Sequence, residues 1–287
     1  MAEGLITGVT GSIFTVDIAG QDVACRLRGR SRHGSPVVGD RVELDESGAI
    51  AARLPRRSFL SRPGPAGGRR RAGPEHIIAA NVDLLVAVQA ARQPPFRRGL
   101  VERYLAMARR GGVEPLVLVN KCDLEAEDIV RAWTRDLQPP PLLVSAATGQ
   151  NMEALRHRLG CRVSVLAGPS GVGKTSLVRA LFPDVAAAIG AVGGPRGAGR
   201  HTTTSSRMYR LPGGGWLVDT PGIRELGLFE DDAVEDLFPD IAALAAGCRF
   251  RDCRHLQEPG CAVKAALASG DLDRERYQQY VRLAGGR

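Results

Sequence analysis

Apolar and polar residues alternate with a period of two through the first fifty positions. The clearest stretches are Ile13-Phe14-Thr15-Val16-Asp17-Ile18, Val23-Ala24-Cys25-Arg26-Leu27 and Arg41-Val42-Glu43-Leu44. Gly-containing turns at Ala19-Gly20-Gln21-Asp22 and Val38-Gly39-Asp40 separate them. Several short strands at this spacing predict a small β-barrel over residues 4–54. Residues 56–75, RRSFLSRPGPAGGRRRAGPE, have no apolar period and read as an interdomain linker.

The pattern changes from residue 83. Apolar runs of strand length, at 84–90, 115–119, 141–146 and 162–168, alternate with helical stretches near 98–111, 125–136 and 151–159. That alternation predicts a parallel sheet covered by helices. Two more strands, 206–211 and 215–219, follow a Gly-rich stretch at 190–200, and beyond residue 229 only helical segments and a cysteine cluster remain.

The ends of these strands carry the candidate chemistry. Gly168-Pro169-Ser170-Gly171-Val172-Gly173-Lys174-Thr175 follows a strand and precedes the helix that begins at Ser176. It fits the phosphate loop G-x-x-x-x-G-K-[ST], in which backbone N–H groups close around a β-phosphate. Lys174 is then placed to reach the β- and γ-phosphates, and the Thr175 hydroxyl to ligate Mg²⁺. Asp219-Thr-Pro-Gly222 ends the last strand. Its acid suits the magnesium surroundings, and Gly222 offers an N–H to the γ-phosphate.

Asn120-Lys121-Cys-Asp123 closes another strand. A carboxylate at Asp123 accepts from guanine N1–H and its exocyclic amine together, and adenine offers no such pair. Asn120 can bond the base edge, the stem of Lys121 can cover the ring, and Ser145-Ala146 can offer a backbone N–H to the guanine carbonyl. His201-Thr202-Thr203-Thr204 lies between the phosphate loop and Asp219, where a Thr that closes on Mg²⁺ belongs. Thr203 is the candidate ligand. Position 223 is Ile, so no Gln orients the attacking water there. His201 is the candidate for that role, with a structural or RNA-facing role as its alternative.

Base-recognition residues 120–123 and 145–146 precede the phosphate loop, the reverse of the order in ordinary small GTPases. With this order, GRHTTT at 199–204, DTPGIREL at 219–226 and the cysteine segment, the chain resembles the small ribosomal subunit-dependent, circularly permuted GTPase A family. The resemblance covers nearly the whole chain. It implies an N-terminal OB-fold barrel and linker (1–72), a permuted α/β P-loop GTPase domain (73–228) and a C-terminal helical zinc-binding domain (229–287). It also implies GTP hydrolysis in late maturation of the small ribosomal subunit, with that subunit and its rRNA as partners.

Cys248-x4-Cys253-x-His255-x5-Cys261 supplies three sulfurs and one imidazole within fourteen residues. Four such ligands with no open position describe one structural Zn²⁺ per chain, and the spacing matches the family segment. The other cysteines are scattered, and the six together do not form the dense framework of a secreted disulfide protein. The start lacks a basic segment followed by an apolar one. No run approaches the roughly 18 to 20 apolar residues of a membrane span. These features predict a cytoplasmic protein without a membrane partner, taken to act as a monomer.

Net charge is +8, and only Lys121, Lys174 and Lys264 among the 39 basic residues are Lys. Residues 1–75 hold 12 basic and 8 acidic side chains, so half the excess lies in that stretch. An Arg-rich front end suits a polyanion such as rRNA. Two other functional classes compete with a ribosome-assembly GTPase. One is a GTP-dependent RNA-binding switch whose hydrolysis is incidental, and the other a P-loop ATPase or kinase, which Asn120–Asp123 opposes.

Overall fold

The computed structural model describes residues 2–29, 35–64, 73–135, 137–192, 205–220, 238–250 and 252–284. The alternating N-terminal stretches form β1 (Ala2–Thr10), β2 (Ile13–Ile18), β3 (Gln21–Cys25), β4 (Arg41–Leu44) and β5 (Ile50–Arg53). β1 pairs with β2 and β4, β2 with β3, and β4 with β5, all antiparallel. A parallel bridge, Leu27 to Ile50, closes the ring. This is the five-stranded closure of an OB-type barrel. The alternation works as expected: Ile6, Phe14, Val16, Cys25, Val42, Leu44 and Ile50 point inward as one core.

Parts of the stretch read as a linker are ordered instead. β6 (Phe59–Gly64) and β7 (Gly73–Ala80) pair as an antiparallel hairpin. The sequence hid it because the strands' own residues are mixed with Pro, Gly and Arg. Tertiary burial stabilises the pair, with Leu60, Ile78 and Ala79 all in the core under the main sheet. The boundary expected between residues 72 and 73 falls at the first residue of β7, and so separates two strands that pair with each other. Asp40, fully buried, receives two 2.7 Å bonds from Arg56. Asn81 donates to the Gly39 carbonyl and accepts from the Arg57 N–H. These contacts fasten the barrel to the start of the α/β domain.

That domain is built on β8 (Leu84–Ala90), β9 (Glu114–Asn120), β10 (Leu142–Leu143), β11 (Val163–Ala167), β12 (Ser206–Arg210) and β13 (Trp216–Asp219). β8, β9, β10, β11 and β13 run parallel, and β12 returns antiparallel to β13. Every residue of β8 is buried, as a strand covered on both faces requires. One face packs against α3 (Met152–Leu159), α4 (Lys174–Leu181) and α5 (Pro183–Val192). The other packs against the hairpin and α1 (Arg98–Arg110), whose Leu100, Tyr104 and Ala108 recur at helical spacing. The stretch near 125–136 yields a short helix, α2 (Glu127–Trp133).

The spatial order is β10-β9-β8-β11-β13-β12-β1-β2-β3. The phosphate-loop strand β11 is therefore central although it comes late in the chain. The barrel is also part of this sheet. β1 pairs with β4 over residues 2–5, breaks register against β2 between Ile6 and Gly8, and then pairs with β12 through Gly8–Arg207 and Val9–Ser206. Arg207 in turn faces Asp219 on β13. An Arg210–Asp17 ion pair joins the two parts again.

The C-terminal segment forms α6 (Pro239–Ala245), α7 (Ala262–Ser269) and α8 (Arg274–Ala284). Their small core, Phe238, Ile241, Cys261, Val263, Ala266, Leu272 and Tyr280, includes Ala106 of α1. No helix of the described residues is long and apolar enough to cross a membrane.

Candidate nucleotide site and metal centre

In a parallel sheet, loops leaving the C-terminal ends of neighbouring strands meet on one rim. Here those loops begin after Asn120, Leu143, Ala167 and Asp219. The sheet thus gathers motifs about a hundred residues apart in sequence.

The phosphate loop runs from β11 into the first turn of α4, which begins at Lys174 after the cap residue Gly173. Val172 anchors it by burying its side chain in the core, while Ser170, Gly171, Thr175 and Ser176 stay exposed on the rim. The Lys174 ammonium donates to the loop's own carbonyls at Gly168 (2.5 Å) and Pro169 (2.8 Å). It is thereby held over the loop, where a phosphate can replace those acceptors. The first-turn N–H groups of α4 lend the same point positive potential.

Asn120 is the strut of the rim. It is 2% exposed, donates from Nδ2 to the Val172 carbonyl (2.9 Å) and accepts at Oδ1 from the Ala146 N–H (3.1 Å). Asn120 is the residue expected at the base edge, and the Ala146 N–H the donor expected at the guanine carbonyl. In the structure both groups are engaged with each other, because a buried amide needs internal partners. Asn120 so ties the loops after β9 and β10 to the phosphate loop.

Gly173 makes that strut possible. Its φ is +96°, and a Cβ there would lie 2.3 Å from Asn120 Nδ2. Gly173→Ala is expected to cost about 2 kcal/mol or more of stability. Guanine-nucleotide binding should weaken at least about tenfold, since 1.4 kcal/mol corresponds to tenfold. Thermal melting and fluorescent-nucleotide titration measure the two effects. Unchanged affinity would remove the strut from nucleotide binding.

Asp123 accepts from the Ser145 hydroxyl at 2.5 Å, and Ser145 is itself fully buried. The carboxylate is thus oriented from beneath and exposed above. Lys121 sits in the left-handed region at φ +63°, and its Nζ donates to the Gln93 carbonyl at 2.5 Å. The loop after β8 therefore reaches the rim, and a Cβ at Gly171 would meet Pro94 Cδ at 3.6 Å. No motif marks Gln93 or Pro94, and only the fold reveals them. Asp219 closes β13 beside the phosphate-loop strand. His201, Thr203 and Gly222 lie outside the described residues.

The second constellation is at the other side of α1. The ligand atoms of Cys248, Cys253, His255 and Cys261 all lie within 4.8 Å of one another. Cys248 Sγ is 3.4 Å from His255 Nδ1 and 3.9 Å from Cys261 Sγ, and Cys261 Sγ is 3.5 Å from His255 Nδ1. A tetrahedral ion with bonds of about 2.3 Å spreads its sulfurs about 3.8 Å apart, so the donor set fits. His255 adopts φ +60°, its carbonyl accepts from Tyr277 Oη at 2.7 Å, and its ring lies against Tyr280. Burial pushes the Cys253 thiol up to about 11, with the neighbouring thiols adding to it. Burial acts the same way on Cys248, but hydrogen bonds with the backbone N–H groups of Val263 and Ala262 and with the neighbouring thiols bring that thiol below its ordinary value. The cluster can hold a metal ion.

The model of the RsgA N-terminal domain matches residues 3–50, and that of the RsgA GTPase matches residues 53–229. A small ribosomal subunit biogenesis GTPase RsgA from Gemmatimonas aurantiaca is 38% identical, across 98% of this chain and 95% of its own length. Its counterpart from Ectopseudomonas mendocina is 42% identical across 92% of this chain and 78% of its own length. Among solved structures, YjeQ from Thermotoga maritima superposes with a TM-score of 0.65 at 31% identity, covering 100% of this chain and 99% of its own. YloQ, a circularly permuted GTPase, gives 0.59 at 29% identity, covering 99% and 94%. The match runs through the barrel and the permuted nucleotide rim alike, and the chain belongs to the RsgA GTPase family.

Proposed function

We propose that this GTPase binds the small ribosomal subunit through its rRNA and acts in late subunit maturation, with hydrolysis of GTP to GDP and phosphate ending the bound state. The observation that carries this reading is the rim itself. Base loops and phosphate loop are locked together by Asn120, in a chain similar to small ribosomal subunit biogenesis GTPases. The assigned partners are the subunit, its rRNA and GTP or GDP. The protein is taken to work in the cytoplasm as a monomer.

In this reading Asp123 selects guanine, and residues 168–176 cradle the phosphates with Lys174. Thr175 and Thr203 are the proposed magnesium ligands, with Asp219 behind them and Gly222 toward the γ-phosphate. Mg²⁺ bound with GTP supplies neutralisation of the phosphate charge. His201 is the proposed water-orienting side chain, since residue 223 is Ile. Cys248, Cys253, His255 and Cys261 are proposed to hold one structural zinc.

With no orienting amide at position 223, the isolated protein should turn over slowly. Added small subunits are expected to raise turnover steeply, toward the ~10³-fold that external catalytic groups provide in other GTPases. Stimulation should fall as salt rises, because rRNA binding releases counterions. His201→Ala should lower the stimulated rate and leave GTP affinity nearly unchanged. Steady-state phosphate release with and without purified subunits decides the matter. A rate indifferent to subunits would favour an RNA-binding switch with incidental hydrolysis.

A further inference from the structure

Among the described residues, Phe250 is the one aromatic among the large apolar side chains left exposed, at 41%. A single exposed apolar residue is ordinary. The setting of this one is not. Phe250 lies between Cys248 and Cys253, and its carbonyl accepts from the Cys253 N–H at 3.3 Å. The Arg249 N–H donates to the Gly260 carbonyl at 3.1 Å. The backbone that presents the ring is thus pinned on both sides by the metal cluster.

A guanidinium accompanies the ring. Arg249 Cζ is 5.5 Å from the Phe250 centroid, within cation–π range. Gly260 lets it sit there: a Cβ at that residue, at φ +71°, would lie 3.2 Å from Arg249 Cβ and 3.4 Å from its Cδ. The stem of Arg249 lies across the bare glycine. Arg254 is exposed on the same loop, and Arg251 adds a further positive charge in sequence. One acid, Asp252, is exposed on the same loop, and the acid of the following turn is committed elsewhere. Glu258 accepts from the N–H groups of Arg254, Leu256 and Gln257 at 2.9 to 3.0 Å.

An exposed aromatic face on a rigid loop, flanked by guanidinium groups, is what an unpaired nucleobase and its phosphates require. A ring held in advance loses little freedom on binding. We infer that Phe250, with Arg249 and Arg254, is a stacking platform for an unpaired rRNA base. This rests on the proposed binding to the small ribosomal subunit and assigns it a contact on the metal-bearing unit. The occupant is RNA rather than a ribosomal protein because a guanidinium lies beside the ring, on a loop whose Arg249, Arg251 and Arg254 outnumber its one acid, Asp252.

The test uses the full-length protein and purified small subunits, with Phe250→Ala, Phe250→Leu and Phe250→Trp. Zinc content and melting temperature check that each variant is folded. Base stacking contributes enough that its loss lowers affinity about 5- to 150-fold. Both Ala and Leu should show that loss, because Leu keeps apolar area but has no π-face. The Trp variant should bind like the parent and show added fluorescence quenching on binding, beyond any from Trp133 and Trp216. Leu binding as tightly as Phe would overturn the inference in favour of an apolar protein contact. Ala binding as tightly would remove this surface from the interface. Failure of the parent protein to bind subunits would instead overturn the proposed function, and the platform with it.

Discussion

Asp123→Asn should exchange guanine for xanthine preference and weaken GTP binding by ~10²- to 10⁴-fold. Two hydrogen bonds to a charged acceptor are lost, each contributing about 1.5–3 kcal/mol. The new amide would also turn a donor toward the guanine amine, whereas xanthine presents an oxygen there. The structure makes this a clean substitution. Ser145 Oγ holds Asp123 at Oδ1, and an amide oxygen can accept that bond equally. The Asn120 strut is untouched, so the phosphate loop should keep its shape. Competition titrations with GTP, XTP and ATP measure the outcome. A variant that keeps full GTP preference would take base recognition away from Asp123, and ATP competing as well as GTP in the parent would revive the ATPase reading.

Metal removal should have the other large effect. Structural zinc contributes on the order of 10 kcal/mol or more to small modules. The C-terminal helices share a small core, and one of its side chains, Cys261, belongs to the proposed zinc cluster. Chelation, or Cys253→Ser, is therefore expected to unfold α6 to α8 and open residues 238–284 to protease. Metal analysis should find one zinc per chain in protein purified without chelator. A chain with no zinc and a protease-resistant C-terminus would refute the assignment. GTP affinity should change far less than stability, because the nucleotide rim lies at the strand ends while this unit rests on α1 through Ala106.

These sites were readable before the fold because they are local. The phosphate loop and the cysteine ligands each occupy fewer than fifteen consecutive residues, and their spacing carries the chemistry. Strands such as β8 are equally plain, since burial on both faces demands a nearly continuous apolar run, broken here only by Gln89. What could not be read depends on partners distant in sequence. Nothing local indicates that Asn120 turns to Val172, 52 residues away, or that Lys121 reaches Gln93. The hairpin of β6 and β7 is illegible in the sequence for the same reason. Its residues lack an apolar period of their own and acquire strand geometry by packing beneath the sheet. The pairing of β1 with β12 spans nearly two hundred residues, and no pattern in either strand names the other.

That last pairing bears on how the protein can be dissected. β12 has β13 on one side and β1 on the other. A chain begun at residue 73 would strip β1 away and leave the edge of β12 at Ser206 and Arg207 open to water. Such a strand is a template for pairing with another molecule. The same cut would remove β6 and leave β7 without its mate. The isolated GTPase domain should therefore self-associate, and lost activity in it would report aggregation as readily as lost rRNA contact. The barrel, whatever it grips, also acts as the GTPase domain's built-in protection against its own copies.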